Sequence, residues 1–175
     1  SADGRTFSYT LHDGEPRIVI QQNDVRAIQL AKAALYAGAR LLMEKLGVET
    51  VDRIRLAGAF GAHIDVKYAM VLGMIPDCHI EQVSSAGNAA GTGARIALLD
   101  KSSRELVRDV TRKVEKIETA VEPKFQDHFV EAMAIPHKSA PYPNLTREVT
   151  LPAVKAVETT DAEGGERRRR RRGRG

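Results

Sequence analysis

The stretch that decides the fold is RIRLAGAFGAHID, residues 53–65. Its first half alternates charged and apolar residues, which is typical of a β-strand, and we predict a strand over 53–58. Small residues follow at Gly58, Ala59 and Gly61, and Phe60 is the one large side chain among them. A tight turn needs glycine, and a ligand that approaches the backbone also needs it, so this stretch alone leaves both interpretations open.

Length and composition indicate one folded unit with an aliphatic core. The chain has 175 residues, of which 42% are hydrophobic and 5% aromatic, with no tryptophan. No apolar run reaches the roughly 20 residues of a membrane-spanning helix, so we expect no membrane contact. The single cysteine, Cys78, excludes an internal disulfide and a four-cysteine metal or iron–sulfur site. We expect a cytoplasmic protein.

The net charge of +4 comes from the end of the chain. Seven of the 27 Lys and Arg residues lie in the last nine residues. The rest of the chain contains 20 basic and 23 acidic residues, so its net charge is −3. We therefore expect a folded domain over 1–152 and a disordered arginine-rich tail over 153–175. Such a tail attracts polyanions without sequence preference, which keeps open an interaction module that binds nucleic acid through its tail.

Strands and helices alternate along the chain, which predicts an α/β fold. Besides the strand over 53–58, we predict strands over 16–22, over 79–85 and at the sequence ETAV. We predict helices over 23–47, 66–76, 87–100, 102–117 and 123–136, and an extended arm thereafter. Asn23 or Asp24 and Asn88 are candidate caps, and Ser102 with Glu105 forms a capping-box pattern.

Other motifs have both a functional and a structural interpretation, and the sequence leaves both open. The glycine-rich segment 85–93 opens a helix, where it either binds an anion or lets the helix pack tightly on the sheet. The pair His63 and Asp65, and the run from Asp77 to His79, contain metal-ligand residue types without zinc spacing. We expect no metal site and no catalytic residue in this chain.

Ordered blocks identify a resemblance. The sequences QNDVRAIQLAKAALYAG (22–38), LAGAFGAHID (56–65), VLGMIPD (71–77), GNAAGTGARIALL (87–99) and KIETAVEPKFQDHFVEAMAIPH (116–137) occur in this order. Together they resemble the C-terminal domain of ATP-dependent reductive activators of corrinoid proteins, over residues from about 16 to 152. The resemblance implies a ribonuclease-H-like subdomain of the acetate/sugar kinase–Hsp70–actin superfold, and it makes this chain a C-terminal fragment.

That family uses ATP hydrolysis to return an inactivated Co(II) corrinoid to Co(I). The resemblance implies ATP with magnesium as cofactor of the parent protein, and a [2Fe–2S] cluster in its N-terminal domain. The implied partners are a corrinoid protein of a methyltransferase system and the missing N-terminal part of the parent. A second copy of the same protein, forming a homodimer, is a further candidate partner. Gly58, Ala59, Phe60 and Gly61 become the nucleotide-binding segment. The superfold's first phosphate loop is absent, so we expect no catalysis by this fragment alone.

Overall fold

The computed structural model describes residues 6–135 and 137–151, so the tail predicted over 153–175 lies outside the described residues. The elements, in chain order, are β1 (Ser8–His12), β2 (Ile18–Gln21), α1 (Gln22–Leu46), β3 (Ile54–Ala57), α2 (Gly58–His63), α3 (Val66–Val71), β4 (Val83–Gly87), α4 (Ala89–Leu99), α5 (Lys101–Lys113), α6 (Pro123–Ala132) and α7 (Leu145–Glu148). No helix among these described residues is long and apolar enough to cross a membrane.

Helix α1 is the longest of the described elements, and the predicted helix is confirmed. The predicted cap is wrong, because Gln21 is the cap residue and Asn23 and Asp24 lie within the helix. The backbone N–H of Gln21 donates to Asp24 Oδ2 at 2.8 Å, so Asp24 stabilises the helix start. The helix ends at Gly47, which has φ +67° and satisfies the left-handed cap that glycine favours.

Two separate two-stranded sheets are present in the described part of the chain. β1 and β2 pair antiparallel, and β3 and β4 pair parallel. The strands predicted at 16–22 and 53–58 are confirmed as β2 and β3. The strand predicted over 79–85 is partly wrong, because Ile80–Gln82 forms a 3₁₀ turn and β4 begins only at Val83. β1 was not predicted.

Two small clusters of buried side chains lie in the core of the described residues. Met70, Cys78, Val83 and Leu145 form one, and α1 packs on α6 through the other, which contains Ala33, Tyr36 and Ala132. Ion pairs reinforce the α1–α6 contact at the end of α1.

The prediction of an extended arm after residue 136 is wrong in part. The chain folds back there into α7, and Leu145 is only 2% exposed in the core. Asp77 holds this segment, because its carboxylate accepts hydrogen bonds from the backbone N–H groups of Asn144 and Leu145 and from Asn144 Nδ2, at 2.8–3.1 Å. A contact between residues 67 positions apart leaves no local pattern in the sequence.

Three other local predictions are decided by the structure. Thr119–Val121, within the sequence ETAV, is a 3₁₀ turn and not a strand. The cap of α5 is Asp100 and not Ser102, whose N–H and hydroxyl both donate to the Asp100 carboxylate. Helix α6 begins at Pro123, as predicted for the helix over 123–136, and proline suits this first position because it requires no N–H donor.

Candidate functional site

Two glycine-rich helix starts lie side by side at one edge of the parallel sheet. Because β3 and β4 run in the same direction, their carboxyl ends meet, and Ala57 pairs with Gly87 there. Gly58 follows directly on β3 as the first residue of α2, and Asn88 follows on β4 as the cap of α4. In open α/β sheets this carboxyl edge is where ligands bind. We call it the carboxyl edge.

Gly58 leaves backbone exposed at the carboxyl edge. Its φ is +89°, a conformation that residues with a Cβ rarely adopt, and no atom lies within 4 Å of the position that a Cβ would occupy. The stretch from Gly58 to Gly61 was predicted as a turn, but it is the first turn of helix α2. Ala59 is exposed, and the Phe60 side chain is 64% exposed beside it.

Gly61 differs from the other three residues of the predicted segment. It is buried, and a Cβ there would lie 2.7 Å from the carbonyl carbon of Leu56 and 2.9 Å from its oxygen. The missing side chain therefore lets α2 lie on the end of β3. Gly58, Ala59 and Phe60 face outward, whereas Gly61 has a packing role.

The second helix start combines a cap with two unobstructed glycines. Asn88 Oδ1 accepts a hydrogen bond from the N–H of Gly91 at 2.8 Å, which confirms the predicted cap. Gly87 has φ +57°, and at both Gly87 and Gly93 the space that a Cβ would take has no other atom within 4 Å. Tight packing of this helix on the sheet, which the small residues indicated, is wrong for the described chain, because α4 contains no buried residue.

Two of the candidate metal-ligand residues, Asp65 and Asp77, have structural roles. Asp65 caps α3 by accepting from the N–H groups of Lys67 and Tyr68 at 2.9 and 3.2 Å. Asp77 holds the start of α7, as described above. Within residues 6–135 and 137–151, no group of three or more His, Cys, Asp or Glu side chains is placed to hold a metal ion.

Cys78 is part of the core and is poorly suited to nucleophilic chemistry. Its side chain is 2% exposed. Burial raises the pKa of the thiol above its usual value, and the neighbouring Asp77 charge acts in the same direction. A raised pKa keeps the sulfur protonated at neutral pH, and the thiolate is the reactive form.

A cavity of about 510 Å³ lies at the opposite end of the parallel pair, beside residues 49–51 that precede β3. Sequence reasoning did not find it. Three of its lining carboxylates have partners within the chain. Glu44 contacts Lys124 and His128 at 3.2 and 3.1 Å, Glu131 accepts from Ser139 Oγ at 3.0 Å, and Asp77 holds the start of α7. The cavity lies between α1, α6 and the segment that follows α6.

Comparison with known proteins identifies the family. The family model described as the C-terminal domain of RACo, the ASKHA domain, matches residues 1–146. The chain belongs to this family. The α/β fold of the acetate/sugar kinase–Hsp70–actin class, predicted from the resemblance, is thereby confirmed.

Two individual proteins give the same picture. The chain is 44% identical over 115 residues to the corrinoid activation enzyme RamQ of Eubacterium limosum, a match that covers 65% of this chain and 19% of that protein. It also matches the solved structure of a reductive activator for corrinoid, iron–sulfur protein at 32% identity, with a TM-score of 0.67. That match covers 78% of this chain and 24% of the other, so the chain spans about a fifth to a quarter of these relatives.

Proposed function

We propose that this chain is the nucleotide-facing part of an ATP-dependent reductive activator of a corrinoid protein. In this proposal the parent protein couples ATP hydrolysis to the return of Co(II) to Co(I). The observation that carries it is the carboxyl edge, where two glycine-rich helix starts expose backbone next to each other in a chain of this family. The names of the two relatives, an activation enzyme and a reductive activator, support the same reaction.

The residues at the carboxyl edge fit the adenosine part of ATP. Gly58 and Gly87 leave room at the backbone, since nothing lies within 4 Å of either missing Cβ. The exposed ring of Phe60 offers an apolar face against which a purine can lie. ATP bound with magnesium would supply the free energy of phosphoanhydride hydrolysis. This chain's part is to hold and orient the nucleoside at Gly58, Ala59 and Phe60.

The residues of this chain do not fit the iron–sulfur cluster of the proposed parent. A [2Fe–2S] cluster takes four cysteine ligands, and the sequence contains Cys78 alone, which is buried in the core. We therefore place the [2Fe–2S] cluster in the N-terminal part of the parent. The proposed partners of this chain are that part, a corrinoid protein of a methyltransferase system, and a second copy of the parent.

The test uses the full-length parent, reduced by an electron donor and mixed with a corrinoid protein in the Co(II) state. Loss of the Co(II) absorption band is followed with ATP, with ADP and with a non-hydrolysable ATP analogue. The proposal predicts reduction with ATP only, and no steady ATP hydrolysis by the 175-residue chain on its own. Reduction at the same rate without nucleotide would contradict it.

A further inference from the structure

Helices α4 and α5 form a joined unit, residues 89–113, which we call the elbow. Asp100 is the single residue between them. Neither helix contains a buried residue, although α4 starts at the carboxyl edge. Within the described chain, the elbow therefore leaves most of its side-chain surface uncovered.

Side-chain hydrogen bonds at the joint connect the two helices of the elbow. The Asp100 carboxylate accepts from the N–H groups of Ser102 and Ser103 at 3.0 and 3.2 Å, which satisfies the first amides of α5. Arg104 donates through Nε to the Ala97 carbonyl at 2.6 Å and through Nη2 to the Leu98 carbonyl at 3.0 Å. Two carbonyls in the last turn of α4 are thus satisfied by a side chain of α5.

One face of α5 is apolar and exposed. Leu106, Val107, Val110 and Val114, which we call the α5 stripe, are 65, 50, 52 and 67% exposed. Their spacing of three and four residues places them on one side of a helix, with Val114 as the residue that ends it. A helix with such a stripe is the form in which an amphipathic helix is presented to an apolar partner surface.

The charges of α5 indicate what kind of surface covers the stripe. The helix carries five basic residues and two acidic ones, which are Lys101, Arg104, Arg108, Arg112 and Lys113 against Glu105 and Asp109. A second copy of the same helix would bring two net positive helices together, which is unfavourable. The fitting partner is an apolar surface with carboxylates at its rim.

We propose that the α5 stripe is the contact surface for the part of the parent polypeptide that lies outside these 175 residues. The two relatives are far longer than the chain, which covers 19% of one and 24% of the other, so most of their length is available as occupant. This interface holds the elbow, and with it the start of α4, in a defined position. The inference rests on family membership and on the stripe, and it does not require a bound nucleotide.

The test compares two substitutions that each lower the net charge by one, Val110→Glu in the stripe and Arg112→Gln on the opposite side of the helix. Each is made in the 175-residue chain and in the full-length parent. In the short chain we expect both variants to melt within roughly 2 °C of wild type, because both positions are exposed there. In the parent we expect Val110→Glu to lower the melting temperature by roughly 5 °C or more and Arg112→Gln to have little effect.

Hydrogen exchange gives the second readout. We expect the amides of α5 to exchange more slowly in the parent than in the short chain, and we expect Val110→Glu to remove that protection. Equal effects of Val110→Glu in both proteins, or none in either, would overturn the proposal. So would a concentration-dependent dimer of the short chain that Val110→Glu dissociates, because the occupant would then be a second copy. Nucleotide affinity is not a readout, so failure of the proposed function leaves this test intact.

Discussion

Ala57 and Gly87 lie opposite each other on the parallel ladder of β3 and β4, each as the last residue of its strand. This pairing brings together two glycine-rich segments that lie far apart in the sequence. In the sequence they are two separate motifs, each with a plain structural explanation. In the fold they form one edge with exposed backbone on both strands, and this is the strongest support for a shared ligand.

Some glycines of the chain have no room for a side chain, whereas others face open space. Substituting each kind by alanine should therefore change the stability of the 175-residue chain in opposite directions. Gly61→Ala places a Cβ 2.7 Å from backbone that cannot move aside, and should destabilise the fold by about 1–3 kcal/mol. Gly38→Ala fills open space within α1 and should stabilise the fold by about 1 kcal/mol. Urea denaturation measures both, and a neutral Gly61→Ala would show that α2 does not lie on β3.

Asp77 should prove structural. Asp77→Ala removes three hydrogen bonds from a carboxylate that anchors α7, so we expect a loss of about 1.5–3 kcal/mol in the free energy of unfolding. Asn144→Ala shares one of these bonds, so its cost should be much smaller in the Asp77→Ala background than in wild type. Additive costs in this double-mutant cycle would disprove the contact.

The sequence was most informative where structure is local. Helix α1 and strand β3 have clear periodicity, and Gly47, Asn88 and Pro123 end or begin helices by conformational preferences that act within a few residues. The family resemblance came from ordered blocks of such segments. It also placed Gly58 to Gly61 together, but sequence could not separate the exposed Gly58 from the buried Gly61, because that difference depends on contact with Leu56.

The missed features depend on distant partners. Leu145 and Asp77 meet through folding of the chain end onto the core, and the segment around Leu145 contains prolines that indicated an arm. β1 is short and carries Ser, Thr and His, so it became a strand only by pairing with β2. The exposed face of α4 was invisible as well, because small residues indicate close packing without saying what they pack against.

Asp100, at the joint of the elbow, should make the folding stability of the chain depend on pH. Hydrogen bonds from the hydroxyls of Ser103 and Ser102 lower the pKa of Asp100 from 3.8 to about 2. The unfolded state then binds the proton more readily, so the contribution is complete above about pH 4 and is lost as pH falls toward 2.

The measurement for Asp100 is the difference in melting temperature between wild type and Asp100→Asn at a series of pH values. Asn keeps an acceptor at the cap but does not titrate. The advantage of wild type should shrink steadily between about pH 4 and pH 2. A difference that stays constant over this range would contradict the role of the Asp100 charge.

Residues 153–175 should be dispensable for folding. Truncation after Pro152 removes few large apolar residues and keeps Leu151, which packs against the core cluster, so the melting temperature should change by no more than roughly 2 °C. Truncation after Ser139 also removes Tyr142 and Leu145 and should abolish cooperative unfolding. A large loss from the first truncation would mean that residues 153–175 stabilise the domain.

The measurement that tests the central claim most directly is ATP affinity of the full-length parent with Gly58→Val, determined by titration calorimetry beside its thermal stability. Gly47→Val is the matched control, because Gly47 also has positive φ and open space at its Cβ but lies at the end of α1. Both variants should lose stability through backbone strain. The account predicts that only Gly58→Val weakens ATP binding, by about tenfold or more, which corresponds to about 1.4 kcal/mol. If Gly58→Val binds ATP as tightly as wild type and Gly47→Val do, the carboxyl edge is not the nucleotide site.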